Sequence, residues 1–207
     1  MGLGVLIALE GIDGAGKTTL ARRLVRWLRD RGFRARYTSE PTGGPLGRLL
    51  KAMALRRGVD PRIEALLFAA DRLYHLEKIV KPLLEEGVIV VSDRYLHSSL
   101  AYQSVTVGDS RWVEELNRFA RRPDLGIYLD VRPSIGLRRI RRRRTRFERE
   151  EFLARVRERY LEYVERGELL RIDAEKSIGE VFEDLVKAVS RFLDGGGKAF
   201  IRSMGDR

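Results

Sequence analysis

A glycine-rich segment near the amino terminus has the residue types that hold a phosphate group. Residues 11–18 read GIDGAGKT, so that Gly11 and Gly16 are five positions apart and Lys17 and Thr18 follow directly. Glycines let the backbone curl until successive N–H groups point inward and form an anion nest. The lysine supplies a positive charge for the β- and γ-phosphates, and the threonine hydroxyl is a ligand for Mg²⁺. We interpret the segment as a binding site for a nucleoside triphosphate and Mg²⁺, because an apolar run precedes it and a helical pattern follows it. The predicted contacts are Gly11, Ile12, Asp13, Gly14, Ala15, Gly16, Lys17, Thr18 and Thr19.

A second pair of chemically active residues ends the apolar run at 88–93. Asp93 and Arg94 follow the β-branched sequence VIVVS, and ligands of open parallel sheets bind at the carboxyl ends of strands. A carboxylate there can hold Mg²⁺ through water, and an arginine can bind a phosphate with two N–H groups. The alternative is that the pair only caps the surface.

The elements that must position these residues follow from the pattern of apolar runs. Short runs that suit strands alternate with longer segments whose apolar residues recur at helical spacing. This alternation predicts an α/β fold in three layers, with a five-stranded, mostly parallel sheet and helices on both faces, as in P-loop NTPases. The predicted strands are residues 5–9, 33–39, 88–93, 125–131 and 169–174, and the last helix is near 177–193.

Punctuation residues predict where the helices and the domain begin and end. Gly32 stops the first helix, and Asp60 with Pro61 starts the next long one. Pro82 either kinks that helix or divides it. We expect a single domain over residues 1–194. The glycine-rich segment 195–207 is expected to be a mobile tail, with docking of its KAFIR sequence as the alternative.

Composition limits the compartment and the partners. There is no cysteine and no run of about 18 apolar residues, which argues against disulfides, thiolate metal sites and a membrane span. The apolar start has no basic region before it, so we read it as a first strand and expect a cytoplasmic protein. The net charge of +11, with 34 Arg and 7 Lys, favours phosphates, nucleic acid or acidic surfaces as partners.

Phosphate-binding proteins of this kind include GTPases, motors, recombinases and small-molecule kinases. The guanine-reading pattern Asn-Lys-x-Asp is absent, and the chain is short for a motor. From about residue 6 to 193 the chain resembles the thymidylate kinases. The segments that carry the resemblance are EGIDGAGKTT, SEPTGGPLGRLL, LLFAADRLYHL, SDRYLHSSLAYQ and RFEREEFLARVRERYLEY.

The resemblance implies an enzyme that transfers the γ-phosphate of ATP to dTMP, with Mg²⁺, in the synthesis of dTTP. It also implies a homodimer, and it makes nucleic acid an unexpected partner. Three alternatives stay open: a different pyrimidine monophosphate or a deoxynucleoside as acceptor, an NTPase that binds nucleic acid, and an inactive ATP-binding module.

The acceptor site is predicted partly from helix geometry and partly from the resemblance. Phe68 and Arg72 are four residues apart and share a helix face, so a ring could stack on a base while a guanidinium reads its carbonyl. Without the resemblance, Phe68 reads as a core residue. The resemblance assigns Phe68 to thymine stacking, Arg72 to its O4 edge and Tyr102 to the place of a ribose 2′-hydroxyl. It further implies acceptor contacts from Asp13, Pro41, Arg48, Arg94, Ser99 and Gln103.

An arginine run at residues 138–146 has two interpretations. Basic runs are commonly solvated faces or nucleic-acid patches. In the thymidylate kinases this position is a lid, here about 138–150, which brings arginines to the transferred phosphoryl group. Some members carry an arginine in the phosphate loop instead, where this chain has Gly14. We therefore expect Arg146, and after it Arg142, to act with Lys17 and Arg94, with a register open to one or two positions.

The two histidines are not expected to take part in the chemistry. His75 and His97 have no sequence partner that indicates acid–base work, so surface or packing roles are expected. No general base is needed, because the second pKa of a phosphate acceptor is roughly 6.

Overall fold

The computed structural model describes residues 4–54, 58–140 and 149–195. Over these ranges the chain forms one sheet with helices around it, which confirms the predicted α/β fold. Each strand begins and ends within two residues of the ends of a predicted run. The strands are β1 Leu6–Glu10, β2 Ala35–Ser39, β3 Ile89–Asp93, β4 Leu125–Asp130 and β5 Leu170–Asp173.

The strand order is β2-β3-β1-β4-β5, and every described pair is parallel. The three inner strands, β1, β3 and β4, are buried along their whole length. Strands covered on both faces read as continuous apolar runs, which is why their sequences lack alternation. The edge strands β2 and β5 are partly exposed and more polar.

The helices fill the connections between the strands. Along the described ranges they are α1 Lys17–Arg29, α2 Pro45–Met53, α3 Pro61–His75, α4 Lys81–Glu85, α5 Leu96–Val107, α6 Ser110–Leu116, α7 Pro133–Arg139, α8 Glu150–Glu165 and α9 Ile178–Asp194. Helix α1 packs against β2, β3 and α9, whereas α5 packs against α3, α6 and α8.

The point where the strand order reverses lies between β1 and β3. The chain leaves β1 toward β2 and leaves β3 toward β4, in opposite directions across the sheet. Because parallel crossovers are right-handed, the helices that follow these two strands cover opposite faces. A crevice therefore opens at their carboxyl ends, directly after Glu10 and Asp93.

The long helical pattern around Pro82 is continuous, because helical backbone extends from Pro61 to Glu85 and Pro82 does not divide it. Asp60 caps α3 by accepting from the Arg62 N–H at 2.8 Å, and Pro61 is its first residue. A π-helical segment, Leu76–Val80, follows α3 and leads into α4, where Pro82 is the second residue. Pro82 thus lies inside a helix, where its missing N–H removes one bond of the helical ladder.

Candidate active site

The phosphate loop turns sharply between β1 and α1. Gly11, Gly14 and Gly16 have φ angles of 141°, 84° and 88°, in the region that disfavours other residues. A Cβ atom at Gly11 would lie 2.7 Å from the carbonyl oxygen of Leu129 in β4. The loop thus passes close to the neighbouring strand, and its N–H groups and the first turn of α1 surround one space.

Gly14 and Gly136 let the phosphate loop contact α7 backbone to backbone. A Cβ atom at Gly14 would lie 2.1 Å from the carbonyl oxygen of Gly136, and one at Gly136 would lie 2.7 Å from that of Asp13. Neither contact leaves room for a side chain. Position 14 is therefore closed to a side chain, and so to the loop arginine that the sequence resemblance raised as an alternative.

Lys17 is buried at the first turn of α1, where its ammonium donates to the carbonyl oxygen of Ile12 at 2.8 Å. Burial, and after it the positive charge of Arg94, lower the pKa of Lys17 to about 8. Asp13, Asp93 and Glu10 act in the opposite direction. The lysine is held in a low-dielectric position that an anionic ligand would stabilise.

Thr18 and Asp93 meet at the mouth of the loop. The Thr18 hydroxyl donates to Oδ2 of Asp93, and the Tyr37 hydroxyl lies 3.4 Å from the same oxygen. Oxygen donors of this kind fit Mg²⁺, which binds through one or two protein oxygens and substrate phosphates. Among the described residues no group of three or more His, Cys, Asp and Glu side chains forms an all-protein metal cage.

Arg94 adopts a left-handed backbone conformation, with φ 67°, directly after β3. Its Nη2 donates to Oδ1 of Asp13 at 2.7 Å, and its Nη1 donates to the Gly11 carbonyl at 3.0 Å and to Ser98 Oγ at 3.2 Å. Burial alone would lower the pKa of Arg94, but Tyr102 and Asp13 outweigh it and raise the pKa above its usual value. The guanidinium is therefore a fixed positive charge beside the phosphate loop, in a conformation that is costly for a non-glycine residue.

One continuous cleft of about 1020 Å³ extends from the phosphate loop to α3 and α5. Residues 13–19 line it, whereas Gly11 and Ile12 are buried outside its lining. Among the predicted acceptor residues, those that line the cleft are Asp13, Pro41, Phe68, Arg72, Arg94, Ser99, Tyr102 and Gln103.

Arg48 is the predicted acceptor residue that the structure does not bring into the cleft lining. Its side chain is exposed and donates to the Gly43 carbonyl at 2.8 Å. Lys51, one turn later in α2, lines the cleft instead, and its ammonium donates to the Thr42 carbonyl at 2.9 Å. The sequence analysis did not single out Lys51, although a second cation three residues after Arg48 was visible.

Phe68 and Arg72 lie on the cleft side of α3, as their spacing predicts. Phe68 is half-buried, so it is not sealed in the core. Arg72 is fully buried and donates to Glu40 at 3.0 and 2.8 Å, to the Tyr95 carbonyl at 3.1 Å and to Ser99 Oγ at 2.8 Å. Its Nη1 donates to Asn117 Oδ1. The second Nη1 hydrogen has no acceptor among the described residues.

Glu40, Asn117 and Glu10 are site residues that sequence reasoning missed. Glu40 is the carboxylate partner of Arg72, and Asn117 is oriented by its own bond to the Val113 carbonyl at 2.8 Å. Glu10 is fully buried and accepts from the Tyr95 N–H at 3.1 Å and from Ser98 Oγ at 2.6 Å. A glutamate at the end of an otherwise apolar strand was a usable signal, because buried carboxylates require partners.

Both histidines are buried, so the packing alternative describes them better than the surface one. His75 lies with Nδ1 2.9 Å from Glu40 Oε1 and Nε2 2.6 Å from Thr38 Oγ1. His97 lies with Nε2 3.2 Å from Glu168 Oε2 and does not line the cleft.

The donor end of the cleft continues past the phosphate loop to α7, β5 and α9. Arg139 lines this end, donating to the Ala174 carbonyl at 2.7 Å and the Glu175 carbonyl at 3.1 Å. Sequence reasoning had not singled out Arg139, although it belongs to the predicted lid. Arg142 and Arg146 lie outside the described residues.

Comparison with known proteins gives a consistent result. A family model described as thymidylate kinase matches residues 9–185. A probable thymidylate kinase of Thermococcus gammatolerans is 41% identical, with 94% of this chain aligned to all of the relative. Probable thymidylate kinases of Staphylothermus marinus and Pyrobaculum calidifontis are 43% and 45% identical. Their alignments cover 92% and 91% of this chain and 96% and 97% of the relatives.

Proposed function

The chain belongs to the thymidylate kinase family, and from that premise we propose which of its residues bind and join the two nucleotides. The enzyme is an ATP-dependent phosphotransferase that converts dTMP to dTDP in nucleotide biosynthesis. The observation that carries the assignment is the single cleft, which has a phosphate loop at one end and the Phe68–Arg72 face at the other. Two phosphate-bearing ligands can meet there end to end.

The donor phosphates are assigned to the phosphate loop. The N–H groups of residues 13–19 and the amino-terminal end of α1 supply partial positive charge, and Lys17 supplies a full one. Thr18 and Asp93 would hold Mg²⁺. When bound, Mg²⁺ offsets negative charge on the phosphates.

The acceptor phosphate is assigned to Arg94, with Lys51 as a second cation in place of Arg48. Arg94 is fixed by Asp13, Gly11 and Ser98, so it offers its charge without losing side-chain entropy on binding. Lys51 lines the cleft from α2, whereas the Arg48 side chain is directed to the Gly43 carbonyl.

The acceptor base is assigned to the α3–α5 wall of the cleft. Phe68 supplies a ring for stacking, and the second Nη1 hydrogen of Arg72 supplies a donor for a carbonyl such as thymine O4. A base with an amino group in place of O4, such as cytosine, would direct its own hydrogens at the Arg72 donor and would be disfavoured. Ser99 and Gln103 complete the base side, and the Tyr102 ring occupies the place where a ribose 2′-hydroxyl would lie.

Positioning and charge neutralisation account for the chemistry. The acceptor phosphate, whose second pKa is roughly 6, is ionised at neutral pH and needs no general base. Because position 14 has no room for a side chain, arginines must reach the transferred phosphoryl group from elsewhere. We assign this role to Arg146 and Arg142, on the sequence resemblance.

The assignment of the acceptor is tested by steady-state phosphorylation of dTMP, dUMP, UMP, dCMP and thymidine. We expect the highest kcat/KM for dTMP, a clear loss for UMP through the Tyr102 ring, and no turnover of thymidine. Equal kcat/KM for dTMP and UMP would contradict the role of Tyr102, and equal kcat/KM for dUMP and dCMP would contradict that of Arg72. Preference for thymidine would move the acceptor to a nucleoside.

The role of Arg146 is tested by Arg146→Ala. Loss of an arginine that stabilises the transition state lowers kcat by about 10³-fold or more, while the KM for dTMP changes little. Arg138→Ala is the matched control, because Arg138 belongs to the same run but is exposed and outside the cleft lining. Near-normal kcat in the Arg146 variant would give the role to another arginine.

We further propose that the enzyme is a cytoplasmic homodimer that pairs through α2 and α3. Large apolar side chains are exposed along these helices and the π-helical segment: Leu49, Ile63, Leu66, Tyr74 and Ile79. Ile63, Leu66 and Tyr74 share one face of α3, opposite the face that bears Arg72. Within the described ranges no helix has the length and apolar character of a membrane span.

A further inference from the structure

We propose that His75 is a positioning residue for recognition of the acceptor base, and that it acts through Glu40 on the guanidinium of Arg72. The inference rests on the proposed function, because it takes Arg72 as the group that reads the base. It gives a role to a fully buried histidine that the chemistry of phosphoryl transfer does not use.

The hydrogen-bond partners of His75 fix the orientation of its ring. Oε1 of Glu40, 2.9 Å from Nδ1, can only accept, so Nδ1 carries a proton. The other nitrogen, Nε2, lies 2.6 Å from the Thr38 hydroxyl. Both ring nitrogens therefore have a partner, one in β2 and one in the segment that follows it.

Glu40 transmits this order to Arg72. While Oε1 accepts from His75, Oε2 accepts from Nε of Arg72 at 3.0 Å and from its Nη2 at 2.8 Å. The two oxygens are thus held from opposite sides, which fixes the plane of the carboxylate. Charge-assisted pairs of this geometry orient the guanidinium plane as well as its position.

Helix α3 holds the same short segment at a second point. Asp71 accepts from the Thr42 N–H at 2.8 Å and from its hydroxyl at 2.6 Å. Arg72 and His75 are three residues apart on α3 and therefore reach Glu40 from one helix face. Because Asp71 anchors Thr42, the backbone near Glu40 is fixed and only the Glu40 side chain could still rotate. The contact with His75 prevents this rotation.

The contacts on the other side of Arg72 do not replace Glu40. Asn117, the Tyr95 carbonyl and Ser99 are neutral acceptors, so Glu40 is the charged partner among the described contacts. If Oε1 loses its donor, the Glu40 carboxylate can rotate and the Arg72 guanidinium can rotate with it. The second Nη1 hydrogen of Arg72 is then no longer held in a fixed direction toward the base. Discrimination between a carbonyl and an amino group at position 4 of the base then falls.

The experiment compares kcat/KM for dTMP with that for 5-methyl-dCMP, which has an amino group in place of O4. The variants are His75→Leu, which removes both contacts, and His75→Asn, whose amide can donate from the position of Nδ1. We expect His75→Leu to lower the preference for dTMP about tenfold, the lower end of the effect of outer partners on a ligand-binding group. We expect His75→Asn to keep most of the preference for dTMP. The KM for ATP should be unchanged in both His75 variants.

His97→Leu is the matched control. His97 is equally buried and also contacts a glutamate, but it does not line the cleft or touch Arg72. A merely structural role of His75 predicts that both leucine variants lower thermal stability and leave the base preference intact. That result overturns the proposal.

Arg72→Met and the wild type separate this proposal from the proposed function. If the wild type does not favour dTMP, or if Arg72→Met keeps the preference, the assignment of the base site is wrong and the role of His75 falls with it. If Arg72→Met loses the preference and His75→Leu keeps it, only the role of His75 is overturned. Should His75→Leu not fold, Thr38→Val removes the hydroxyl partner of Nε2, and we expect a smaller loss of the preference for dTMP than in His75→Leu. An unchanged preference in Thr38→Val overturns the proposal.

Discussion

At the scale of single residues, Lys17 shows how the site prepares for an anion. In the free protein its pKa is about 8, whereas an unfolded chain leaves it at 10.5. Between these values the unfolded state binds more protons, so the free energy of unfolding rises with pH from about 8 to 10.5. Below pH 8 the buried charge is a cost to stability that phosphate binding removes.

We therefore expect ATP binding to take up a proton when the pH is near or above 8. The phosphates raise the pKa of Lys17, so the affinity for ATP falls as the pH rises beyond about 8. Isothermal titration at pH 8.5 in buffers of different ionisation enthalpy measures the uptake. Lys17→Arg is the control, because a guanidinium stays protonated and takes up nothing. Equal uptake in both proteins would contradict the role of Lys17.

Local pattern predicted the phosphate loop, Asp93 and Arg94, because each lies beside a recognisable strand end. Glu40 and Asn117 could not be found in this way, since they reach Arg72 from segments 32 and 45 residues distant. Arg48 and Lys51 are both cations of α2. Which of the two faces the cleft depends on how α2 packs, and the backbone of Gly47 lies close to Thr42. Helical periodicity alone does not show which face of α2 is turned toward the cleft.

At the scale of elements, Asp130 connects three of them at the carboxyl end of β4. Arg157 of α8 donates to its two oxygens at 2.7 and 2.9 Å, and Arg171 of β5 donates to Oδ2 at 2.9 Å. Burial alone would raise the pKa of Asp130, but the hydrogen bonds from Arg157 and Tyr128 outweigh it and lower the pKa. The carboxylate is thus an ionic junction between β4, β5 and α8.

We expect Asp130→Asn to lower the free energy of unfolding at pH 7 by about 2 kcal/mol, because it leaves Arg157 without its charged partner. A carboxylate with a lowered pKa stabilises the fold above about pH 4 and loses this effect as the pH falls through its folded value. The difference in the free energy of unfolding between Asp130→Asn and the wild type should therefore become smaller at acid pH. Chemical denaturation at pH 7 and about pH 3 measures both effects.

Glu175→Gln is the control for this junction. Glu175 also pairs with an arginine, Arg132, but this carboxylate is 28% exposed and its partner 65%, whereas Asp130 is 4% exposed. Exposed pairs contribute little, so the control should unfold close to the wild type. A similar loss in the two variants would show that burial of the junction is not what matters.

The strands were predictable because buried parallel strands are continuous apolar runs bounded by polar residues. The edge strand β2 begins at Ala35 rather than Phe33, which is exposed and unpaired in the sheet. Pro82 predicted a kink or a division of the long helix. The π-helical turn before it was not predicted, because helical periodicity does not show where an extra residue enters a turn.

At the scale of the whole molecule, the apolar face of α2 and α3 lies behind the acceptor site. We expect Leu66→Glu to convert the proposed dimer to a monomer, since a charge in an apolar interface is costly. Light scattering after size exclusion measures the mass. The KM for dTMP should rise as well, because α3 carries this face and Phe68 and Arg72 together.

Phe119→Glu is the control, because Phe119 is 68% exposed and belongs to the turn that follows α6 rather than to α2 or α3. It should leave the mass unchanged. A dimer that survives Leu66→Glu would move the interface to another surface.

The net charge was readable from composition, whereas the single domain and the mobile tail stay predictions. Apart from Gly195, the segment 195–207 lies outside the described residues, and the extent of the domain to residue 194 stays a prediction. The cleft that would join the two proposed nucleotide sites is a tertiary feature, and the sequence indicated it only through the order of its motifs.

The contact between Gly14 and Gly136 also limits how this enzyme can change during evolution. The backbones of two glycines from separate segments are in contact, so a side chain added at either position would clash with the backbone of the other segment. A lineage with this arrangement cannot acquire a phosphate-loop arginine by one replacement, because the start of α7 would first have to withdraw. In such a lineage the two glycines are expected to persist together, and with them the absence of an arginine from the phosphate loop.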